Sequence, residues 1–156
     1  MGLTVAAHGA QKLFGIFGGH GLSGTSQFVE SLGFRPRRLF AYALGLGELA
    51  GGALLAAGLF TPVATLSILA IMTAATSAVH WRKGFFASSG GFEYPLVIGA
   101  VAPAIAFTGP GIFSVDALLN LSWHGTAIAL GDVVVGILAG LAVVGTRNLP
   151  MKDSVP

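Results

Sequence analysis

The chain reads as an all-α membrane protein, a four-helix transmembrane core followed by a fifth, C-terminal transmembrane helix. Three observations lead there. Of 156 residues, 54% are hydrophobic and only 9% charged, with a mean hydropathy of +0.82. A soluble domain carries about 25% charged residues and needs them to cover its surface. Apolar segments of bilayer length, about 20 residues for a helix, recur along the chain. The basic residues then gather on one side of the resulting topology, a signal independent of hydropathy. Nothing marks a second domain, so residues 1–156 are read as one membrane unit.

The first span is placed at about residues 3–17 and is short. The second, 39–60, reads "LFAYALGLGELAGGALLAAGLF". The third covers 63–81, with Pro62 ahead of it at a helix start, where a missing N–H costs nothing. The fourth covers about 92–108, with Pro95 in its first turn. The fifth is 126–144, "TAIALGDVVVGILAGLAVV". Between the first two, "GTSQFVESLGF" is expected as a short helix on the membrane surface, with Phe28, Val29 and Leu32 on one face. Gly47/Gly51 and Gly136/Gly140 have the small-xxx-small spacing that permits close helix contact.

With five spans, Arg35, Arg37 and Arg38, then Arg82 and Lys83, then Arg147 and Lys152, share one side. These are seven of the eight basic residues, and the eighth, Lys12, lies inside span one. The positive-inside rule puts that side in the cytoplasm. A multi-pass protein of the cell membrane is expected, N-terminus outside and C-terminus cytoplasmic. Trp81 and Tyr94 would lie at the inner interface and Trp123 at the outer one. The N-terminus has no basic region before its apolar run and is not read as a signal peptide.

Several functions are excluded. A net charge of +2 without a basic patch interleaved with aromatics argues against nucleic acid. The absence of cysteine removes disulfides, iron–sulfur ligation and cysteine-bound zinc. There is no HExxH, P-loop or Rossmann fingerprint, and "GGHGLSG" lacks the Lys-Ser/Thr of a phosphate loop. His8 and His80 would differ by about 15 Å in depth, which suits no two-histidine haem.

Residues 7–16, "AHGAQKLFGI", put His8, Gln11 and Lys12 into an apolar helix. An ionisable residue at a helix centre costs at least about 2.5–3.5 kcal/mol and normally has a partner in the bundle. Lys12 lies about 9 Å from the inner end of span one and Glu48 about 13 Å from that of span two, so the two can meet. His8 shares a helix face with Lys12. His80 ends span three and Glu93 opens span four on the same side, next to Tyr94. One polar cluster in the inner half is therefore expected, of His8, Lys12, Glu48, His80, Glu93 and Tyr94. The plainer alternatives are a structural Lys12–Glu48 pair, a Lys12 that snorkels, a His8 bonded to a neighbouring helix, and interfacial His80 and Glu93. Asp132 has no partner evident in the sequence.

The segments "AAHGAQKLFG", "ELAGGALLAAGLFTP" and "HWRKGFFASSGGFEYPL" resemble the DoxX family of small membrane proteins, its actinobacterial members above all. The resemblance covers about Val5 to Leu118. The matching positions are His8, Gly9, Lys12, Glu48, Gly51, Gly52, Gly58, Thr61, Pro62, His80, Gly84, Gly90, Gly91, Glu93 and Tyr94. It implies a four-helix core and an association with membrane redox chemistry, since the family name comes from a subunit of a quinol-linked oxidase. Span one is shorter than in the family, and the native start is expected further upstream. The fifth span lies beyond the matching region.

The leading expectation is a redox-linked membrane subunit that binds a quinone or similar lipophilic ligand in the inner cluster. His8 and Lys12 would donate to its carbonyl oxygens, and Glu48 or Glu93 would exchange protons with the cytoplasm. The alternative is a non-catalytic scaffold or accessory subunit; a small transporter ranks third, since no inverted repeat is visible. Expected partners are the lipid bilayer, other membrane redox subunits and, in an oligomer, further copies of the chain. Whether the chain is itself an enzyme is left open.

Overall fold

The computed structural model describes residues 1–148; Lys152 and the rest of the tail lie outside the described residues. Seven α-helices run in order: α1 (Gly2–Phe14), α2 (Gly21–Ser31), α3 (Arg37–Ala57), α4 (Thr61–Ala75), α5 (Glu93–Thr108), α6 (Val115–Leu118) and α7 (Thr126–Gly145). A π-helical turn, Thr76–His80, and a 3₁₀ turn, Trp81–Lys83, prolong α4.

Three helical stretches are long and apolar enough to cross a membrane: Arg37–Ala57, Thr61–Lys83 and Thr126–Gly145. They coincide with the second, third and fifth expected spans to within a few residues. The other two are shorter. α1 has 13 residues and α5 has 16, about 20 Å and 24 Å of helix against a hydrocarbon core about 30 Å thick. The first span, expected at 3–17, stops early because the chain turns left-handed at Gly15, φ 73°, and again at Phe17, φ 53°.

α1 and α3 are antiparallel, and their backbones touch. A Cβ on Gly9 would sit 2.3 Å from Leu49 N, and one on Gly52 2.3 Å from Ala6 N. Gly2, Gly9, Gly45 and Gly52 form this seam, spaced seven apart on each helix. Gly47 and Gly51 instead face Ile71, Ser67 and Ile68 on α4. The other expected pair does make a close contact: Gly136 meets Leu69, and a Cβ on Gly140 would lie 2.5 Å from Ala70 O. α7 runs parallel to α4, with Asp132, Gly136 and Gly140 facing Thr65, Leu69 and Thr73. Between the helices lies an apolar core of Val5, Ile68, Leu69, Met72, Ile98 and Ala102.

α2 does not merely lie on a surface. Its Thr25 hydroxyl donates to Lys12 O at 2.9 Å, and Val29 is buried with Phe34 and Ala41. The end of α7 is tied to the same corner. Arg147 Nε donates to Leu32 O at 2.6 Å, its guanidinium lies over the Phe34 ring, and Asn148 N donates to Gly33 O at 2.8 Å. Ala78, near the end of the third span, packs against this cluster too. Arg35, Arg37, Arg38, Arg82, Lys83 and Arg147 therefore share one end of the bundle. The opposite end, made of the α3–α4 turn, α6 and the start of α7, has no lysine or arginine among the described residues.

Candidate functional site

The Lys12 ammonium and the Glu48 carboxylate form an ion pair between α1 and α3, through Glu48 Oε2. The seam of glycines brings the two helices close enough for them to meet. The lysine side chain is 27% exposed and the glutamate 6%, so the pair is buried on one side and open on the other.

One turn earlier, His8 lies in a chain of hydrogen bonds. Gln11 Nε2 donates to Phe17 O at 2.8 Å. That leaves Gln11 Oε1 toward His8 Nδ1, 3.0 Å away, and His8 Nε2 against the Tyr94 hydroxyl, also 3.0 Å away. The left-handed turn that ends α1 is what swings the Phe17 carbonyl back to Gln11. Tyr94, expected at the interface, turns its hydroxyl inward to His8.

His80 arrives by a different route. It closes the π-helical turn, a feature that often re-aims a side chain at functional sites. Its Nδ1 donates to Gly90 O at 2.6 Å. The loop that offers this carbonyl is knitted to itself by Gly91 N to Phe86 O, 3.0 Å, and Phe92 N to Gly84 O, 3.1 Å. Only glycine fits at 91, where a Cβ would lie 2.3 Å from Gly84 O. The Gly84–Gly90–Gly91 pattern thus has a concrete task, which is to hold His80.

These groups converge on a cavity of about 400 Å³, within the range of small-molecule sites. His8, Lys12, Glu48, His80 and Tyr94 all line it. The rest of its wall is apolar: Phe28 and Val29 from α2 and Leu32 just after it, Leu44 from α3, Ala75 and Val79 from the third span, Ile98 from α5, and Ala139 and Val143 from α7. The three residues expected on one face of a surface helix, Phe28, Val29 and Leu32, are thus part of this wall. Glu93 is not part of it. Its carboxylate accepts from Ala87 N at 2.8 Å and belongs to the loop before α5. Gln11, whose partners could not be read from the sequence, orients His8.

A second polar group, at the opposite end, was not anticipated. Asp116 of α6 is 1% exposed. Its Oδ1 accepts from Phe60 N at 2.8 Å, and its Oδ2 from Thr61 N at 2.9 Å and Thr61 Oγ1 at 2.6 Å. These are donors at the start of α4 that the helix leaves unpaired. Burial pushes the Asp116 carboxyl pKa up, but the hydrogen bonds from Thr61 and Phe60 outweigh it and hold it below the usual carboxylate range. Asp132 also has a partner after all, the Thr65 hydroxyl on α4.

Among the described residues, an all-helical bundle with three membrane-length helices, basic residues at one end and a largely apolar cavity with a few polar side chains in its wall reads as a multi-pass membrane protein. The DoxX family model matches residues 1–81, just over half of the chain, and the chain belongs to the DoxX family. The match includes His8, Lys12, Glu48 and His80 and ends before the loop that carries Gly84 to Tyr94. No curated protein and no solved structure matches the chain.

Proposed function

We propose that the chain is a redox-linked membrane subunit whose cavity receives a lipophilic ring compound of the quinone class. The observation that carries this reading is the convergence of five polar side chains, His8, Lys12, Glu48, His80 and Tyr94, on an otherwise apolar cavity of about 400 Å³. A ligand with an apolar body and a polar head matches such a wall, and few convergent polar groups in an apolar pocket are the mark of ligand sites. DoxX membership supports the redox association. On this reading α1 and α5 complete a five-span protein of the cell membrane, working beside other redox subunits. The basic end is cytoplasmic by the positive-inside rule.

The test is thermal stability of the purified protein with a short-tailed benzoquinone and with its hydroquinone, together with extraction of co-purifying quinone. A shift in wild type that Glu48→Gln abolishes is expected. No shift and no extracted quinone sink the reading. Orientation is tested separately, since the chain has no cysteine. In intact cells an impermeant thiol reagent should label Ser122→Cys and not Ser88→Cys; the opposite pattern reverses the orientation.

A further inference from the structure

We infer that the cavity selects hydrogen-bond donors, a lipophilic hydroquinone or phenol in preference to the corresponding quinone. This rests on the reading that the cavity receives a ring compound, and it names the form of that ring.

The argument counts protons. A backbone carbonyl only accepts, so the Phe17 carbonyl fixes Gln11 with its amide nitrogen outward and its oxygen toward His8. The amide oxygen also only accepts, so His8 carries a proton on Nδ1. In a neutral imidazole the other nitrogen is then an acceptor. Tyr94 must donate its only proton to His8 Nε2, and what its oxygen keeps is lone-pair capacity. The same reasoning applies to His80. Its Nδ1 donates to the Gly90 carbonyl, which leaves Nε2 as an acceptor. Glu48 uses Oε2 for Lys12, and its Oε1 has no hydrogen bond among the described residues. Three residues that line the cavity thus retain acceptor capacity: Tyr94, His80 and Glu48. Set against them is the Lys12 ammonium, which gives one of its three N–H donors to Glu48 Oε2 and keeps two.

A quinone offers only carbonyl acceptors. It could accept a hydrogen bond from Lys12 but would cover the other groups without bonding them, and taking a polar group out of water without giving it a new partner is costly. A hydroquinone hydroxyl does both. It donates to Tyr94, His80 or Glu48 and still accepts from Lys12.

The experiment uses the full chain in detergent, without oxygen, at about pH 8, where imidazole is ordinarily neutral. Three probes with the same short alkyl tail are titrated: a hydroquinone, its benzoquinone, and the hydroquinone dimethyl ether, which keeps the ring but cannot donate. The hydroquinone should bind about tenfold or more tighter than either of the others. Tyr94→Phe, which keeps the ring, and Gln11→Leu, which frees His8 to change tautomer, should each bring the ratio toward one. Folding of both is checked by circular dichroism. A quinone or ether that binds as tightly as the hydroquinone overturns the inference and leaves the cavity reading standing. So does an unchanged ratio in both folded variants. Binding of none of the three overturns both.

Discussion

Glu48 and Asp116 are both buried carboxylates, 4% and 1% exposed; Glu48 lies midway along α3 and Asp116 in α6, at the end of the bundle away from the arginines. Asp116 receives three hydrogen bonds from neutral donors, two of them backbone N–H groups at the start of α4. No cation pairs with it among the described residues. Glu48 has one ion-pair partner and one oxygen without a hydrogen bond among the described residues, beside an open cavity. Burial alone therefore does not mark a functional acid in this protein. What separates the two is whether the carboxylate's acceptor capacity is filled by the fold. Asp116 is filled and acts as a remote cap; Glu48 is unfilled and faces a space that a ligand can occupy.

The sharpest test of this contrast removes charges one at a time. Lys12→Met leaves Glu48 alone, and Glu48→Leu leaves Lys12 alone. Each should destabilise the protein by about 3–5 kcal/mol, as breaking a buried ion pair does. The double substitution should recover much of the loss, since no unpaired charge remains, and a double-mutant cycle should report a large coupling energy. Additive losses in detergent unfolding would mean that the ion pair carries no net energy and that Lys12 escapes to solvent along its long stem. The double variant should also lose the response to added benzoquinone while remaining folded.

Asp116 should behave in the opposite way, with no charged partner to rescue it. Asp116→Ala strips three donors at once and should cost about 2–4 kcal/mol, in the range of lost caps and unsatisfied buried donors. Ligand binding at the distant cavity should be unaffected. Its stability contribution also carries a pH signature. The folded pKa is lowered, so the contribution is complete above the ordinary carboxylate value of about 3.9. It is lost as pH falls through the lowered folded value. Acid unfolding curves of wild type and Asp116→Asn should therefore differ in slope only below about pH 4. Curves that stay parallel there would remove Asp116 from the acid transition.

How much of each region could be read from the sequence follows from the same contrast. Lys12 and Glu48 are opposite charges in apolar helices, and depth along two antiparallel helices is enough to pair them. His8 joins them by sharing a helix face with Lys12, and His80 and Tyr94 by closing the third span and opening the fourth on the side from which the cavity is lined. Glu93 has the right depth but points into its own loop, where Ala87 N takes the carboxylate; depth does not specify azimuth. Asp116 was hidden because two of its three donors are backbone groups, which no side-chain pattern announces. The Gln11 partner, a carbonyl at Phe17, was hidden for the same reason. The α1–α3 seam uses glycines seven apart, two turns of helix, whereas four-residue spacing draws attention to Gly47 and Gly51, which face another helix. Span lengths at α1 and α5 were overestimated at the first and matched at the second. Hydropathy registers apolar residues beyond a left-handed glycine as readily as those before it.

Asp132 tests the comparison where its effect should be smallest. It is 4% exposed, and one oxygen lies against the Thr65 hydroxyl. That hydroxyl has a single proton and stands 2.9 Å from Thr61 O and 3.2 Å from Pro62 O, both of which only accept. A helical threonine commonly gives its proton to the carbonyl four residues back. The Thr65 proton is therefore shared between these carbonyls and Asp132 Oδ2, which accepts across the helix pair. Such bonds between membrane helices average about 0.6 kcal/mol. Asp132→Asn keeps an acceptor oxygen in the same place and should change stability by less than about 1 kcal/mol, whereas Asp132→Leu, which leaves Thr65 with the carbonyls alone, should cost about 1–2 kcal/mol. A loss near that of Asp116→Ala for the asparagine variant would show that the second carboxylate oxygen, and not the shared Thr65 hydroxyl alone, holds α7 against α4.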